Sequence, residues 1–579
     1  MFDFFNKQYK FSDAIRIIDS ADKDLFCLLN LNTFPQNRYF VFNKDNRFIL
    51  DLLKGTTKFK LFLRHVKDIK ELNRLLTDLK KAGFFQPLKL NPVNRSRHKY
   101  FNTDSYLKKS RTLIDESKLK FKNSNKENLS WASFYPKTSI KLCSFTISPT
   151  NLCNLRCKYC FVTSNSFANP NLDIKSLMSK DASEKIFDKL IEYTKSRFDS
   201  KIGGLRIIFY GGMTSSKGKP REALYQMVKY IEKRTFDEDL FVKFSIIDNG
   251  VSIDEELIRF YKKHNFSVSL SFDLPKDIQD IHRPMANGNK TGSMLENALK
   301  LCKKHKLSTA VQCTISKLNQ TRIIEMIDYM ISLKQFSLSA FPMSENFRST
   351  NPEISIEPPD MNVLYNEYLH AFEYTKQLYC KKGIQFRFNP ITMMIKNIIR
   401  GGREQYCGMG RDYFTIDVNG DVHTCYNVRV PEFQITNVIE ESDCIDKMLN
   451  VGSKFQSKSF SDFFTNTPED LCLSSKSDMN CNSSFDQCKN CEILIFCSGG
   501  CKAHAFAEKG CANMPAPLLN TKDNDCMLNT QLYRKLFWDY ILSPIKNKNV
   551  MKFYQSIAPQ LKKKNPWKAG PSFNKNLIP

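Results

Sequence analysis

Cys143-Ser-Phe-Thr-Ile-Ser148-Pro-Thr-Asn-Leu-Cys153-Asn-Leu-Arg-Cys157-Lys-Tyr-Cys160 is the stretch that decides how this chain is read. Cys143–Ser148 is a short run of apolar and β-branched residues, which predicts a buried strand. Directly after it, three cysteines fall in C-x3-C-x2-C spacing. On a loop, three thiolates at this spacing can wrap one face of a metal cluster. The lack of a nearby fourth cysteine matters chemically. A 4Fe–4S cluster held by three cysteines leaves one iron open to another ligand. A zinc knuckle is the alternative, but structural zinc wants four closed protein ligands.

Strand-like and helix-like stretches alternate from Leu142 to about residue 384. The further strand runs are Leu205–Tyr210, Phe241–Asp248, Phe266–Phe272, Leu307–Ile315 and Phe336–Phe341. Amphipathic helices fall between them, for example Ala182–Phe198 and Ser293–His305. A series of six βα units predicts a parallel barrel or partial barrel with its active site at the strands' C-terminal ends.

Around that unit the chain divides further. Residues 1–92 read as a small α+β unit. Arg38–Phe42 and Arg47–Leu50 flank an Asn-Lys-Asp-Asn turn, a hairpin pattern. Asp68–Ala82 reads as a helix, with Asp68 and Glu71 as a capping box and Gly83 as its stop. Residues 93–140 are polar, basic and weakly periodic, and read as a linker. The barrel spans 141–400, a cysteine-rich and loop-rich region spans 401–530, and 531–579 hold a helix near Leu528–Ile541 and a basic tail.

Composition sets limits on the function. The chain has 579 residues, too many for one ordinary core. No apolar run is long enough to span a bilayer, and the start shows no signal pattern, so a cytoplasmic protein is expected. Nineteen cysteines in a reducing compartment argue for metal binding over disulfides. Only Cys27 precedes residue 143, while eleven lie between Cys407 and Cys526. The net charge of +27 would suit an acidic peptide or a nucleic acid. The lysines are scattered rather than gathered in a stripe, which favours a compositional origin.

The first cysteine motif, with Tyr159 before its last cysteine, resembles that of the radical S-adenosylmethionine (SAM) superfamily. The resemblance implies a partial (β/α)6 barrel, with the open iron of the first cluster binding SAM. One-electron cleavage of SAM then gives a 5′-deoxyadenosyl radical. Other positions compare one at a time. The family's Gly-Gly-Glu-Pro turn is here Gly211-Gly212-Met213-Thr214, so the glutamate that binds the SAM amine is missing. Asp248, in Asp248-Asn249-Gly250, is the candidate replacement, with Asn249 beside it. Ser271-Phe-Asp273-Leu-Pro275 and His282-Arg283 are similar to the segment whose serine and arginine hold SAM, which implies roles for Ser271 and Arg283.

The second constellation is Cys407-x12-Gly420-x4-Cys425, then Cys488-x2-Cys491-x5-Cys497-x3-Cys501, then Cys526. That order resembles the SPASM domain of radical SAM maturases; a pair of zinc ribbons is the alternative. The resemblance implies two auxiliary 4Fe–4S clusters, three clusters in all. Cys488, Cys491, Cys497 and Cys526 would hold one. Cys407, Cys425 and Cys501 would hold the other, with an open iron or a fourth ligand among Cys444, Cys472, Cys481 and Cys511. No catalytic base stands out. Asp412, Asp417 and Asp421 lie in this half, and the Asp417-x-Asn-Gly-Asp421 turn favours a structural role for two of them.

Two substrate classes are implied by the resemblance. Anaerobic sulfatase maturases typically carry an aspartate directly after the Gly-x4-Cys cysteine, where this chain has Tyr426. Residues 1–140 are also extra to that class. Maturases of ribosomally made precursor peptides often begin with a winged-helix-like element that binds a leader peptide, which residues 38–85 resemble in topology. The expected enzyme therefore installs a crosslink or other oxidative modification in a precursor peptide. Its partners would be that peptide with its leader and a small flavodoxin- or ferredoxin-type reductant. A dehydrogenase of a folded protein and a non-catalytic metalloprotein that binds nucleic acid are the rival readings.

Overall fold

The computed structural model describes residues 9–11, 15–19, 25–30, 39–43, 85–87, 103–124, 129–135, 141–160, 177–198, 203–343, 356–400, 402–403, 406–427, 429, 433–451, 488, 491–501 and 525–558. Six strands fall where the apolar runs place them: β6 (Leu142–Ile147), β7 (Gly204–Phe209), β8 (Phe241–Asp248), β9 (Ser267–Ser271), β10 (Thr309–Ile315) and β11 (Ser337–Pro342). Each pairs in parallel with the next. Along these strands one face is fully buried and the other is buried or half-buried, so the inward positions are consistently apolar. Phe145, Ile147, Ile207, Phe209, Phe244 and Leu270 are all fully or almost fully buried.

The intervening helices start and stop on local signals. Lys180–Arg197 is capped by the Ser179 side chain, which accepts from the Ala182 amide. Glu255–Lys263 is capped by Asp254, which accepts from the Leu257 amide. Met361–Lys382 starts on Asp360 and ends at Gly383, whose φ of 68° only glycine adopts without strain. The observed architecture is the α/β partial barrel of six βα units.

The sheet continues beyond those six strands. β12 (Arg387–Asn389) adds in parallel to β11, and β13 (Tyr413–Ile416) adds in parallel to β6. β14 (Asp421–His423) and β15 (Gln434–Asn437) then extend it antiparallel, giving ten strands in one sheet. The cysteine-rich half is thus built onto the barrel's own sheet. The Asp417–Asp421 turn joins β13 to β14: Asp417 accepts from the Asn419 and Asp421 amides, and Gly420 sits at φ 88°.

The linker reading of 93–140 is corrected. Helix α1 (Thr103–Lys122) and a 3-10 turn at Trp131–Phe134 occupy this segment. Trp131 is buried, donates its indole N–H to the Leu240 carbonyl at 3.0 Å and stacks on Phe241 at 5.4 Å between ring centres. Phe121 and Phe236 pack on its edges. The stripe that docks is narrow, with Ile114 and Ser117 buried and Phe121 partly so, and the polar majority of the helix conceals it in the sequence.

At the N-terminus β2 (Ile15–Asp19), β3 (Leu25–Asn30) and β4 (Tyr39–Asn43) form an antiparallel sheet. The partner of the 39–43 strand is β3, ahead of it in sequence. The expected second hairpin arm at 47–50 and the helix at 68–82 lie outside the described residues. Trp538, on the helix Asp525–Lys546, donates to the Asp19 carbonyl at 3.0 Å and ties this sheet to the C-terminal region. No helix among the described residues is long and apolar enough to cross a membrane.

Trp131→Ala should destabilise the protein by about 3–5 kcal/mol, because it empties a buried aromatic site and orphans the Leu240 carbonyl. Trp131→Phe should recover most of that loss. Chemical denaturation reads both, and an alanine variant as stable as the parent would show that the segment is a linker after all.

Candidate active site at the mouth of the parallel sheet

The cysteine loop leaves the C-terminal end of β6 and is stitched down along its length. The Gly212 amide donates to the Thr150 carbonyl at 2.8 Å, and the Met213 amide to the Leu152 carbonyl at 2.6 Å. On the other side, the Arg156 amide donates to Pro284 O and the Lys158 amide to His282 O, both at 2.9 Å. Asn249 donates from its side chain to Asn154 Oδ1 at 2.9 Å. The turns after β7, β8 and β9 therefore all grip the loop that carries Cys153, Cys157 and Cys160.

Gly211 and Gly212 are needed for this fit. A Cβ at Gly211 would lie 2.0 Å from Ser148 Oγ, and one at Gly212 would lie 2.3 Å from the Leu152 carbonyl oxygen. Met213 is buried, with its amide on the loop.

Asp273 is the hub of the mouth. It is fully buried just past the end of β9. Its Oδ2 accepts from Tyr159 Oη, from His282 Nδ1 at 3.0 Å and from Arg283 Nε at 3.1 Å. Its Oδ1 accepts from the Thr314 amide on β10 at 2.8 Å. Burial alone would raise its pKa, but the Arg283 charge, His282 and the Thr314 amide outweigh it and hold the carboxyl well below the usual range. Arg283 lies over the Tyr159 ring at 5.1 Å, and its Nη1 is 4.0 Å from Cys157 Sγ. The aromatic residue before the last cysteine, the acid after β9 and the arginine of the His-Arg pair form one network. Sequence reading placed Tyr159 and Arg283 here but gave Asp273 and His282 no role.

Asp248 is fully buried, its Oδ1 accepts from the Gly250 amide at 2.8 Å, and its Oδ2 accepts from Tyr261 Oη at 2.9 Å. Both oxygens have partners inside the fold, and through them the carboxylate shapes the 248–250 turn. Asn249, by contrast, reaches the cysteine loop. Ser271 ends β9, buried at the same mouth.

The buried hydroxyls of Ser148 and Thr214, on either side of the glycine pair, have no hydrogen-bond partner among the described residues. Buried polar atoms left open beside a loop of three thiols suit a polar ligand there. The thiols themselves are poor ligands until a metal takes their protons: burial pushes Cys157 up to about 12, with Arg283 opposing.

The second group of cysteines approaches the same mouth. Tyr210, at the end of β7, packs on Tyr426 at 5.2 Å between ring centres, and Tyr426 packs on Tyr413 at 6.4 Å. Tyr426 lies within the electrostatic reach of Cys425, Cys501 and Cys407 together, and burial with those thiols raises its pKa. Tyr210 lies within reach of Cys160 on one side and Tyr426 on the other. Cys491 and Cys497 flank a helical turn at Leu494–Cys497, with the Cys491 amide on the Cys488 carbonyl at 3.0 Å. Cys526 opens the helix whose Tyr533 and Phe537 pack on Phe496.

The radical SAM superfamily model matches residues 147–330, the span of this mouth. Those residues are a radical SAM domain. The chain is a radical SAM enzyme, and this family binds SAM and a 4Fe–4S cluster. It is 23% identical over 369 residues to the cysteine-type anaerobic sulfatase-maturating enzyme of Clostridium perfringens, covering 62% of this chain and 88% of that one. It is 24% identical over 178 residues to the radical SAM cyclopropyl synthase TigE of Paramaledivibacter caminithermalis, 29% of this chain and 34% of that one. Among solved structures it is similar to native anSMEcpe with bound AdoMet, with a TM-score of 0.55 at 17% identity over 70% of this chain and 100% of that one. The last likeness is one of fold.

Asp273→Asn should weaken SAM binding by about 10–100-fold, the usual effect of removing a residue that orients ligands from behind. Asp248→Asn should leave SAM binding nearly unchanged while lowering the melting temperature. Equilibrium dialysis with SAM separates the two, and an equal loss in both variants would return Asp248 to the SAM site.

Proposed function

We propose that this radical SAM enzyme is a maturase that installs a crosslink or other oxidative modification in a ribosomally made peptide. The observation that carries the reading is the juxtaposition at the mouth. Tyr210 has the cysteine loop on one side and Tyr426, with Cys407, Cys425 and Cys501, on the other. A substrate held there has a hydrogen-abstracting site and an electron-accepting site within one enclosure.

In this reading Cys153, Cys157 and Cys160 hold the SAM-binding cluster. Cys488, Cys491, Cys497 and Cys526 hold one auxiliary cluster, and Cys407, Cys425 and Cys501 the other. With SAM bound, the first cluster supplies a 5′-deoxyadenosyl radical that takes a hydrogen atom from the substrate. The chain's own residues do the rest. Asp273 fixes Tyr159 and Arg283 behind the loop, and Arg283 is placed to pair with the SAM carboxylate. The paired tyrosines line the mouth and help exclude water from the radical. Among the described residues the three-stranded N-terminal sheet ends on β2 and β4, and a leader peptide would add to such an edge as a further strand through main-chain bonds. A flavodoxin- or ferredoxin-type protein would supply the electron, in the cytoplasm.

A second reading, maturation of a sulfatase, is favoured by the name of the Clostridium relative. Tyr426 stands against it, because that class typically carries an aspartate directly after the cysteine. The phenol here is packed between Tyr210 and Tyr413, and its raised pKa makes it a poor proton acceptor at neutral pH.

Anaerobic reconstitution should give about twelve irons per chain, three clusters of four. Dithionite and SAM should then yield 5′-deoxyadenosine. Replacing Cys153, Cys157 and Cys160 together by alanine should leave about eight irons and abolish that product. Zinc uptake, or iron without SAM cleavage, would contradict the proposal. Conversion of a cysteine peptide carrying a sulfatase motif to formylglycine, read by mass spectrometry, would put the second reading first.

A further inference from the structure

Arg429 breaks a strong rule of protein interiors. Its residue is 6% exposed, and Nε, Nη1 and Nη2 are all buried with no hydrogen-bond partner among the described residues. A buried guanidinium is normally paired, because removing its charge from water costs several kcal/mol. No carboxylate of the described residues comes within 4.0 Å of it. The acid within its electrostatic reach, Asp417, is already engaged: its Oδ1 accepts from the Asn419 and Asp421 amides. Its Oδ2 faces His423 Nε2 at 3.9 Å.

The surroundings have the same imbalance. Thr424 is fully buried, and its hydroxyl has no partner among the described residues. The Nδ1 of His423 is also buried and unpartnered. The guanidinium N–H donors of Arg429 thus have no acceptor among the described residues. These groups lie beside Cys425: Thr424 precedes it, Arg429 follows four residues later, and the Arg429 charge bears on the Cys425 thiol. A negatively charged acceptor bound at Cys425 would supply the partner that the chain omits.

We infer that Arg429, with the Thr424 hydroxyl, is the charge partner of the iron–sulfur cluster held by Cys407, Cys425 and Cys501, and sets that cluster's reduction potential. The inference rests on the assignment of that cluster under the proposed function. Thiolates and inorganic sulfides supply the acceptors that the chain omits. Hydrogen bonds to the sulfurs and nearby positive charge stabilise the reduced state, whose charge is one unit more negative. A more positive potential makes this cluster a better electron acceptor than one without the cation. Arg429 is thus a positioning residue for charge, not a group that touches substrate.

Two measurements on the full chain test it. The first is an EPR-monitored redox titration of the reconstituted protein and of Arg429→Gln. The variant should lower the midpoint of one auxiliary cluster, cutting its reduced-to-oxidised ratio at the parent's midpoint about tenfold, or about 59 mV for one electron. The cluster whose signal changes on adding SAM should keep its midpoint. Arg429→Lys should recover part of the shift, and Arg411→Gln, a surface charge control, should give none. Unchanged midpoints with full iron content would overturn the inference.

The second measurement needs no cluster. In the iron-free protein Arg429 has no partner, so Arg429→Met should melt no lower than the parent; a marked drop would mean that the chain itself pairs the guanidinium, and the inference would fall. If the parent took up only one cluster, the assignment of auxiliary clusters would fail, a result distinguishable by iron count alone.

Discussion

A carboxylate sealed from water, with four donors on it, organises the mouth of this enzyme. Asp273 takes Tyr159 from the cysteine loop, His282 and Arg283 from the segment after β9, and the Thr314 amide from β10. Burying an anion is costly unless charge and hydrogen bonds replace the water, and here both do. In return, three segments far apart in sequence acquire one fixed geometry. The loop that presents Cys153, Cys157 and Cys160 is pinned from behind by its own aromatic residue, while the glycine pair after β7 closes on it from the side. Arg283 is oriented by the same carboxylate, so the guanidinium beside Cys157 and the cysteine loop are set by one interaction.

The second consequence comes from the sheet. Because β13 pairs with β6 in parallel, the cysteine-rich half begins on the strand next to the one that launches the first motif. The chain that leaves the β13–β14 hairpin carries Cys425 and Tyr426, and Tyr426 meets Tyr210 at the end of β7. Continuity of hydrogen bonding across the sheet, with no long linker, places Cys407 and Cys425 close to the strand that launches the first motif.

Much of this was legible in the sequence, for identifiable reasons. The inward positions of the barrel strands are consistently apolar, and all six strands fall within a few residues of the expected runs, as do the helices at 180–197 and 292–304. What was hidden depends on tertiary context. Strands β12 to β15 are three or four residues long, too short for periodicity. The helix at 103–122 docks through a narrow stripe, so its polar surface resembled a linker. Asp248 sat beside the right motif, but only the structure shows the Gly250 amide and the Tyr261 hydroxyl on its oxygens. Asp273 and Arg429 look ordinary in sequence, because the meaning of one lies in its partners and of the other in their absence.

The central claim is that the loop held by Asp273 presents a cluster with one iron open to SAM. The most direct test is electron–nuclear double resonance on dithionite-reduced protein with SAM labelled by oxygen-17 in its carboxylate. The account predicts an oxygen-17 coupling to the cluster held by Cys153, Cys157 and Cys160, lost when those cysteines are replaced. A reduced cluster at that loop with no coupling to labelled SAM would contradict it.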